Sequence, residues 1–157
     1  MKSLNLERLD RVWVFFAPLF LGLLTLDQIS KWWALRTLEE GVVPKFGFHL
    51  TMNEGVAFGI DLPQWAIWTL SFGVLALAIG IIIESKRWQD HWHLTGMAFL
   101  LAGAVGNMID RARLGQVVDF IKVYWWPTFN LADAFIVVGV IILAWEILVR
   151  EEAGSEL

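Results

Sequence analysis

Long apolar stretches are the feature that most constrains how this chain can fold. A bilayer core is about 30 Å thick and takes roughly 20 helical residues to cross. The stretches that approach this length are residues 12–33, 65–83, 94–109 and 129–149. Hydrophobic residues make up 57% of the 157 residues and charged residues only 18%. The sequence therefore predicts a single, all-α integral membrane domain, residues 1–157, with four transmembrane helices.

The first span also bears on how the chain is oriented. It follows a basic N-terminal segment and is not followed by a small-residue cleavage site, because Thr25, Leu26 and Asp27 stand there. This favours an uncleaved first helix over a secretory signal peptide. Basic residues are divided equally between the two sides of a four-span topology, but the segment before the first helix usually dominates. We expect both termini in the cytoplasm.

A strand-like pattern occupies the connection between the first two spans. Apolar residues alternate with polar or small ones at Phe46, Phe48, Leu50 and Met52, and again at Val56, Phe58 and Ile60. Period-two alternation around a break at Glu54-Gly55 is typical of two short strands joined by a turn. We therefore predict a small extramembrane β-cradle at about 42–60, between helices 1 and 2, supported by the helices or the lipid surface.

Composition excludes several classes of function. The net charge of −4 gives no basic surface for nucleic acid. The absence of cysteine excludes disulfides and thiolate metal sites. His91 and His93 flank Trp92 in the connection before the third span, where we expect solvated surface, and His49 stands alone. No metal and no other cofactor are expected.

Carboxylates at membrane depth are the candidate functional groups. Each costs roughly 2.5–3.5 kcal/mol on insertion, so it needs an explanation. The acids so placed are Asp27, Asp110, Asp119 and Asp133. In a four-span topology all of them fall toward the non-cytoplasmic ends of their helices. We therefore expect them to converge near one membrane face.

Local spacing separates these acids into two kinds. Asp27 and Lys31 are four residues apart, which suits a structural ion pair, and Asp110 has Arg111 beside it as a countercharge. Asn107 shares a helix face with Asp110, and Asn130 with Asp133, because each pair is three residues apart.

Asp119 and Asp133 have no adjacent base. Two poorly compensated carboxylates that lie close together share one proton, and such a pair can activate water and polarise a peptide carbonyl. A proton relay in a small transporter or channel subunit is the main alternative, because buried acids serve pumps as well. An assembly factor whose polar residues only hold helices together is a third possibility.

Ordered motifs along nearly the whole chain resemble one family. They are Asp27-Gln-Ile-Ser-Lys31, Asn53-Glu-Gly-Val-Ala-Phe-Gly59, Gly106-Asn-Met-Ile-Asp-Arg111, Gly115-Gln-Val-Val-Asp-Phe-Ile121 and Phe129-Asn-Leu-Ala-Asp133. In this order and spacing the chain closely resembles lipoprotein signal peptidase, also called signal peptidase II. Each motif alone is weak, whereas their ordered combination is specific.

The resemblance implies an aspartyl endopeptidase of the bacterial inner membrane, with four transmembrane helices and its active site near the outer face. Such enzymes cleave a prolipoprotein just before its diacylglyceryl-modified cysteine. The family's catalytic aspartates match Asp119 and Asp133. Its polar positions that line or brace the site match Asn53, Asn107, Asp110, Arg111 and Asn130, and its first motif matches Asp27 and Lys31.

The resemblance also implies partners. These are the prolipoprotein, membrane lipid and a peptide antibiotic inhibitor of the globomycin type, and nothing in the sequence requires more than a monomer. The chain departs from the family pattern at Ala102-Gly103-Ala104-Val105, where paired glycines are usual. The segment from Asp119 to Asp133 is also short, which leaves the shape of the substrate entrance open.

Overall fold

Long helices and a two-stranded antiparallel sheet form the described part of the chain. The computed structural model describes residues 12–41, 43–54, 63, 65–69, 72, 73, 75, 76, 80 and 90–155. A π-helical turn, Val12–Phe16, leads into helix α1, Ala17–Thr37; helix α2 is His91–Leu114 and helix α3 is Leu131–Ser155. The strands are β1, Phe46–Asn53, and β2, Val117–Val123.

Among the described residues, three helices are long and apolar enough to cross a membrane. Their candidate spans are Val14–Thr37, His91–Leu114 and Leu131–Leu148. They confirm the first, third and fourth predicted spans and define a multi-pass membrane protein. The described residues of the predicted second span, 65–83, are helical. Most of that span lies outside the described residues, so the count of four helices and the single-domain boundary stay predictions.

Helix α2 is longer than its predicted span because both of its ends are capped. The Asp90 side chain accepts a hydrogen bond from the Trp92 backbone N–H at 3.0 Å, which satisfies a free donor of the first turn. At the other end Gly115 adopts φ 76°, the left-handed conformation that commonly ends a helix. The helix therefore begins at His91, three residues before the predicted span at 94–109.

This early start overturns the expectation that His93 is solvated. Its side chain is buried between α2 and α3, and its Nδ1 lies 2.9 Å from Glu146 Oε2. Of the two histidines, His91 is exposed, as expected. The sequence reading failed because Glu146, the partner of His93, is 53 residues away.

Small residues bring α2 and α3 into close contact. The third predicted span, 94–109, is rich in glycine and alanine. A Cβ added at Gly96 on α2 would lie 2.8 Å from Leu143 Cγ of α3, and one added at Gly139 on α3 would lie 2.6 Å from the Leu100 backbone nitrogen of α2. Such distances leave no room for a methyl group. The small-residue content of the third span therefore serves helix packing, which is the usual role of such residues in lipid.

The sheet pairs β1 with β2, a strand that lies about 70 residues further along the chain. Thr51 lies opposite Asp119 and Asn53 opposite Val117, with a bulge between Phe48 and Thr51. The predicted β region between the first two spans is present as β1, and its partner among the described residues, β2, comes from the connection that follows α2. The proposed second strand at 56–60 lies outside the described residues. Alternation identifies a strand but not its partner.

The two faces of this sheet have different environments. Leu50, Val118 and Phe120 are buried against Ala34 near the end of α1. The intervening residues, Thr51, Asn53 and Asp119, point to the other face because strand side chains alternate. The sheet thus presents a carboxylate to the ends of the helices.

Candidate active site

All of the predicted site residues meet where the C-terminal half of α1, the end of α2 and the start of α3 come together. Asp27 and Lys31 come from α1, Asn107, Asp110 and Arg111 from α2, and Asn130 and Asp133 from the start of α3. Asn53 and Asp119 come from the sheet. Every one of them lines the cavity described below or hydrogen-bonds to a residue of this group. The expected convergence of the membrane-depth acids is confirmed.

Lys31 neutralises two of these acids. Its Nζ lies 3.1 Å from Asp27 Oδ2 and 2.9 Å from Asp110 Oδ2, and it donates to Asn107 Oδ1 at 2.9 Å. The lysine is only 2% exposed, so all of its donors are used inside the protein. The predicted Asp27–Lys31 ion pair is present. The countercharge of Asp110, however, is Lys31 and not the adjacent Arg111.

The same two carboxylates hold the neighbouring elements in place. Asp27 Oδ1 accepts from the backbone N–H of Ala132, in the first turn of α3, at 2.9 Å. Asp110 Oδ2 accepts from the backbone N–H of Val118, in β2, at 3.2 Å. Ala132 and Val118 immediately precede Asp133 and Asp119. The ion-paired cluster therefore fixes the backbone that carries the other two acids.

Asp119 and Asp133 are held by amides. Asp119 accepts from Asn53 Nδ2 at 2.9 Å and from Asn130 Nδ2 at 2.6 Å, one bond to each oxygen. Asp133 Oδ1 accepts from Asn107 Nδ2 at 2.8 Å. Neither carboxylate forms a salt bridge with a lysine or arginine of the described residues.

Asn130 connects the two acids. Its side-chain amide donates to Asp119, while its backbone N–H donates to Asp133 Oδ2 at 3.3 Å. Its side-chain oxygen accepts from the Asp133 backbone N–H at 3.0 Å. This reciprocal bonding is a capping box at the start of α3, and it orients the Asp133 side chain. One residue thus sets the positions of both carboxylates.

Burial raises the pKa of Asp119 to about 7. The nearby charge of Asp133 acts in the same direction, while hydrogen bonds from Asn53 and Asn130 and the charge of Lys31 oppose it. Asp119 is 1% exposed, so its ionised form loses nearly all hydration. Near neutral pH this carboxyl can hold a proton beside a second carboxylate.

A cavity of about 960 Å³ opens beside the two acids. Asp119, Asp133 and Arg111 supply polar groups to its wall. Apolar wall residues include Trp126, Phe129, Ile136, Val137 and Val138. Sites of this size, mostly apolar with a few convergent polar groups, are typical of ligand-binding pockets.

Arg111 contributes positive charge to this cavity. It forms no salt bridge with any residue of the described ranges, and its guanidinium interacts electrostatically with Asp133, Asp119 and Asp110. It is therefore available to a ligand that carries a carbonyl or a negative charge. The sequence spacing predicts that Arg111 is the countercharge of Asp110, and it does not indicate that Arg111 lines the cavity.

Three further residues of the site, Gln28, Thr51 and Glu54, are not predicted by the sequence analysis. Gln28 Nε2 donates to Asp27 Oδ2 at 3.1 Å and to the Gly106 carbonyl oxygen at 3.3 Å, which joins α1 to α2. Thr51 and Glu54 line the cavity. Strand alternation could have indicated Thr51, because it lies two residues before Asn53 on the same face.

The fold and the site define a membrane-embedded protein with a pair of adjacent carboxylates at a cavity. Comparison with known proteins identifies the family. The family model for signal peptidase (SPase) II matches residues 19–149. The chain therefore belongs to the signal peptidase II family, a family of aspartyl proteases, and the resemblance seen in the sequence is confirmed.

Similar proteins cover most of the chain. The lipoprotein signal peptidase of Moorella thermoacetica is 41% identical over 150 residues, which cover 90% of this chain and 98% of that protein. That of Geobacter sulfurreducens is 38% identical over 154 residues, with 87% and 92% covered. A bacterial membrane enzyme solved by the in meso method at 1.9 Å resolution superimposes with a TM-score of 0.73. It is 27% identical and covers 85% of this chain and 92% of its own. The transporter alternative finds no support in these comparisons.

Proposed function

We propose that Asp119 and Asp133 are the catalytic pair of a peptidase that removes the signal peptide from diacylglyceryl-modified prolipoproteins, cleaving before the lipidated cysteine. The observation that carries the proposal is that Asn130 hydrogen-bonds both carboxylates at the wall of one cavity. Signal peptide removal from prolipoproteins is the function of the family to which the chain belongs. The proposal assigns that chemistry to two residues.

The raised pKa of Asp119 determines the direction of proton transfer in the proposal. Asp133 takes a proton from a water molecule that adds to the scissile carbonyl carbon, while Asp119 gives its proton to the carbonyl oxygen. When the tetrahedral intermediate collapses, Asp133 delivers its proton to the leaving nitrogen. The proton of the intermediate's hydroxyl returns to Asp119, so the pair ends as it began.

The cavity wall supports entry of the substrate from the lipid. Ile136, Val137 and Val138 line the cavity from α3, and Val137 and Val138 are also exposed on this membrane-spanning helix. A cavity bordered by lipid-facing side chains lets the acyl chains of a lipidated cysteine stay in the bilayer. The peptide then approaches the carboxylates, and Arg111 is positioned to bind a peptide carbonyl.

Helix direction supports the four-span topology. Lys31, in the C-terminal half of α1, contacts Asp110 near the C-terminal end of α2, and Phe15 contacts His91 near their other ends, so these helices run in the same direction. The 24 residues of α2 extend about 36 Å. The chain must therefore return across that distance between Asn53 and Asp90, which is what a membrane span at 65–83 would do.

The proposed location follows from this topology. With four crossings both termini lie on one side, and the basic segment before the first span favours the cytoplasm for that side. The site then lies near the outer face of the bacterial inner membrane. We also propose that the protein acts as a monomer, because a single copy of the chain already brings both carboxylates and their hydrogen-bond donors together.

Cleavage of a synthetic substrate tests the proposal. The full chain is purified in detergent and given a fluorogenic peptide with a diacylglyceryl cysteine after a Leu-Ala-Gly sequence. Asp119→Asn and Asp133→Asn should each lower kcat/KM by roughly 10²–10⁴-fold, because each removes a proton-transfer group without a change of shape. Mass spectrometry should place the cut before the cysteine.

Asp90→Asn is the matched control. It also removes one carboxylate charge, but at the opposite end of α2, and asparagine can still cap that helix. Its kcat/KM should equal that of the unmodified protein. Full activity of either Asp119→Asn or Asp133→Asn would reject the catalytic pair. A globomycin-type inhibitor should block cleavage of the peptide.

A further inference from the structure

Thr51 is a cavity residue whose hydroxyl forms no hydrogen bond within the part of the chain that the structure describes. Its Oγ1 is buried, yet it has no hydrogen-bond partner among the described residues. The same side chain lines the cavity that contains Asp119 and Asp133. A buried hydroxyl without a partner lowers the stability of a fold, so it is unusual unless something else completes it.

Its position relative to the carboxylates is set by the sheet. Thr51 is the direct partner of Asp119 in the antiparallel pairing. Side chains of directly paired residues lie on the same face with Cβ atoms about 4.5–5.5 Å apart. Asn53, which hydrogen-bonds Asp119, also lies on this face. A group that contacts Asp119 from the cavity is thus within reach of the Thr51 side chain.

We infer that Thr51 is a substrate-positioning residue, whose hydroxyl hydrogen-bonds the peptide backbone of the substrate next to the scissile bond. A hydroxyl can both donate and accept, so it can bind either an N–H or a carbonyl of a peptide. Contact with the main chain does not depend on the side chains of the substrate. This inference rests on the proposed function and adds a residue to it.

Two substitutions at this position separate the hydroxyl from the shape of the side chain. Thr51→Val replaces the hydroxyl with a methyl group at nearly constant volume, and Thr51→Ser keeps the hydroxyl. Thr51→Val should lower kcat/KM for the diacylglyceryl peptide by roughly two- to twelvefold, the usual contribution of one hydrogen bond. Thr51→Ser should remain close to the unmodified protein.

Thermal stability in detergent distinguishes a substrate-positioning role from a structural one. If the Thr51 hydroxyl stabilised the fold, Thr51→Val would lower the thermal midpoint. Thr51→Val removes an unpaired hydroxyl from the free protein, so its thermal midpoint should rise by roughly 2–4 °C. Thr95→Val is the control, because the Thr95 hydroxyl already donates to the His91 carbonyl oxygen at 2.7 Å, far from the cavity. It should leave kcat/KM unchanged.

The outcomes distinguish this inference from the proposed function. Lower activity with a higher midpoint in Thr51→Val, and rescue by Thr51→Ser, would support it. Unchanged activity of Thr51→Val, equal impairment of Thr51→Ser, or a lowered midpoint of Thr51→Val would overturn it while the peptidase function stands. Absence of cleavage by the unmodified protein would overturn both.

Discussion

The buried carboxylates of this protein form two pairs that differ in what neutralises them. Asp27 and Asp110 share one lysine, Lys31, and each also accepts a backbone N–H. Within the described ranges, Asp119 and Asp133 receive hydrogen bonds from amides and form no salt bridge. The first pair, here called the closed pair, has its countercharge inside the protein. The second, here called the open pair, borders a cavity, where Asp119 can hold a proton near neutral pH.

The difference shows how one polar cluster can be both stable and reactive. An ion pair with all of its hydrogen bonds satisfied holds helices together, but its oxygen atoms have no position left at which a substrate or a water molecule could bind. Burial raises the pKa of Asp119 to about 7, and the amide hydrogen bonds from Asn53 and Asn130 oppose this rise without cancelling it. The closed pair orders the backbone, and the open pair is left to react.

Removal of the shared cation should have the largest effect on stability. Lys31→Met leaves Asp27 and Asp110 buried without a countercharge, which costs about 3–5 kcal/mol for a broken buried ion pair. The free energy of unfolding, measured by titration with a denaturing detergent, should fall by this amount. Lys45→Met is the control, because Lys45 is exposed and its loss should change stability by less than about 0.5 kcal/mol. Equal stability of the two variants would contradict the assignment of Lys31.

A steric change should disturb the closed pair without altering its charge. A Cβ at Gly106 would lie 2.5 Å from Asp27 Oδ2, and that oxygen is held by Lys31 and Gln28. Gly106→Ala should therefore destabilise the protein by about 1–3 kcal/mol. Gly22→Ala on α1 is the matched control, since its added Cβ would meet nothing within 4 Å. If both variants unfold at the same denaturant concentration, the Asp27 carboxylate is not held in place by Lys31 and Gln28.

The open pair should make both activity and stability depend on pH. Because the pKa of Asp119 is about 7 in the folded protein, kcat/KM should fall about tenfold per pH unit above that value, as the acid loses its proton. The folded protein binds this proton more tightly than the unfolded chain does. The free energy of unfolding should therefore decrease as pH rises from about 4 to 7, and Asp119→Asn should remove this decrease. A flat rate profile up to pH 9 would show that Asp119 does not act as the acid.

Loss of one hydrogen bond to Asp119 should shift the pH dependence of kcat/KM. Asn53 Nδ2 donates to Asp119 and stabilises its ionised form, so Asn53→Ala should raise the pKa of Asp119 further. The alkaline decline of kcat/KM should move upward by roughly 1–2 pH units, which corresponds to one hydrogen bond to a charged group. Asp90→Asn should leave the decline where it is. A downward shift in Asn53→Ala would mean that the amide favours the protonated acid.

Some contacts of this site could be predicted because their two partners are close in the sequence. The spacings of Asp27 and Lys31 and of Asn130 and Asp133 correspond to one helical turn, and both pairs interact as that spacing indicates. Ordered motifs also identified the family. Contacts between distant segments were not predictable, as the partner of Asp110, the burial of His93 and the pairing of β1 with β2 illustrate.

The sequence by itself determined that the chain spans a membrane and that several acids lie at its edge, because apolar length and the cost of a charge in lipid are local properties. Only the tertiary structure decided which acids are neutralised. Lys31 reaches Asp110, rather than leaving it to Arg111, because α1 packs beside α2 at this end of the helices. Asp119 enters the site because β2 pairs with β1, and strand pairing depends on segments that are far apart along the chain.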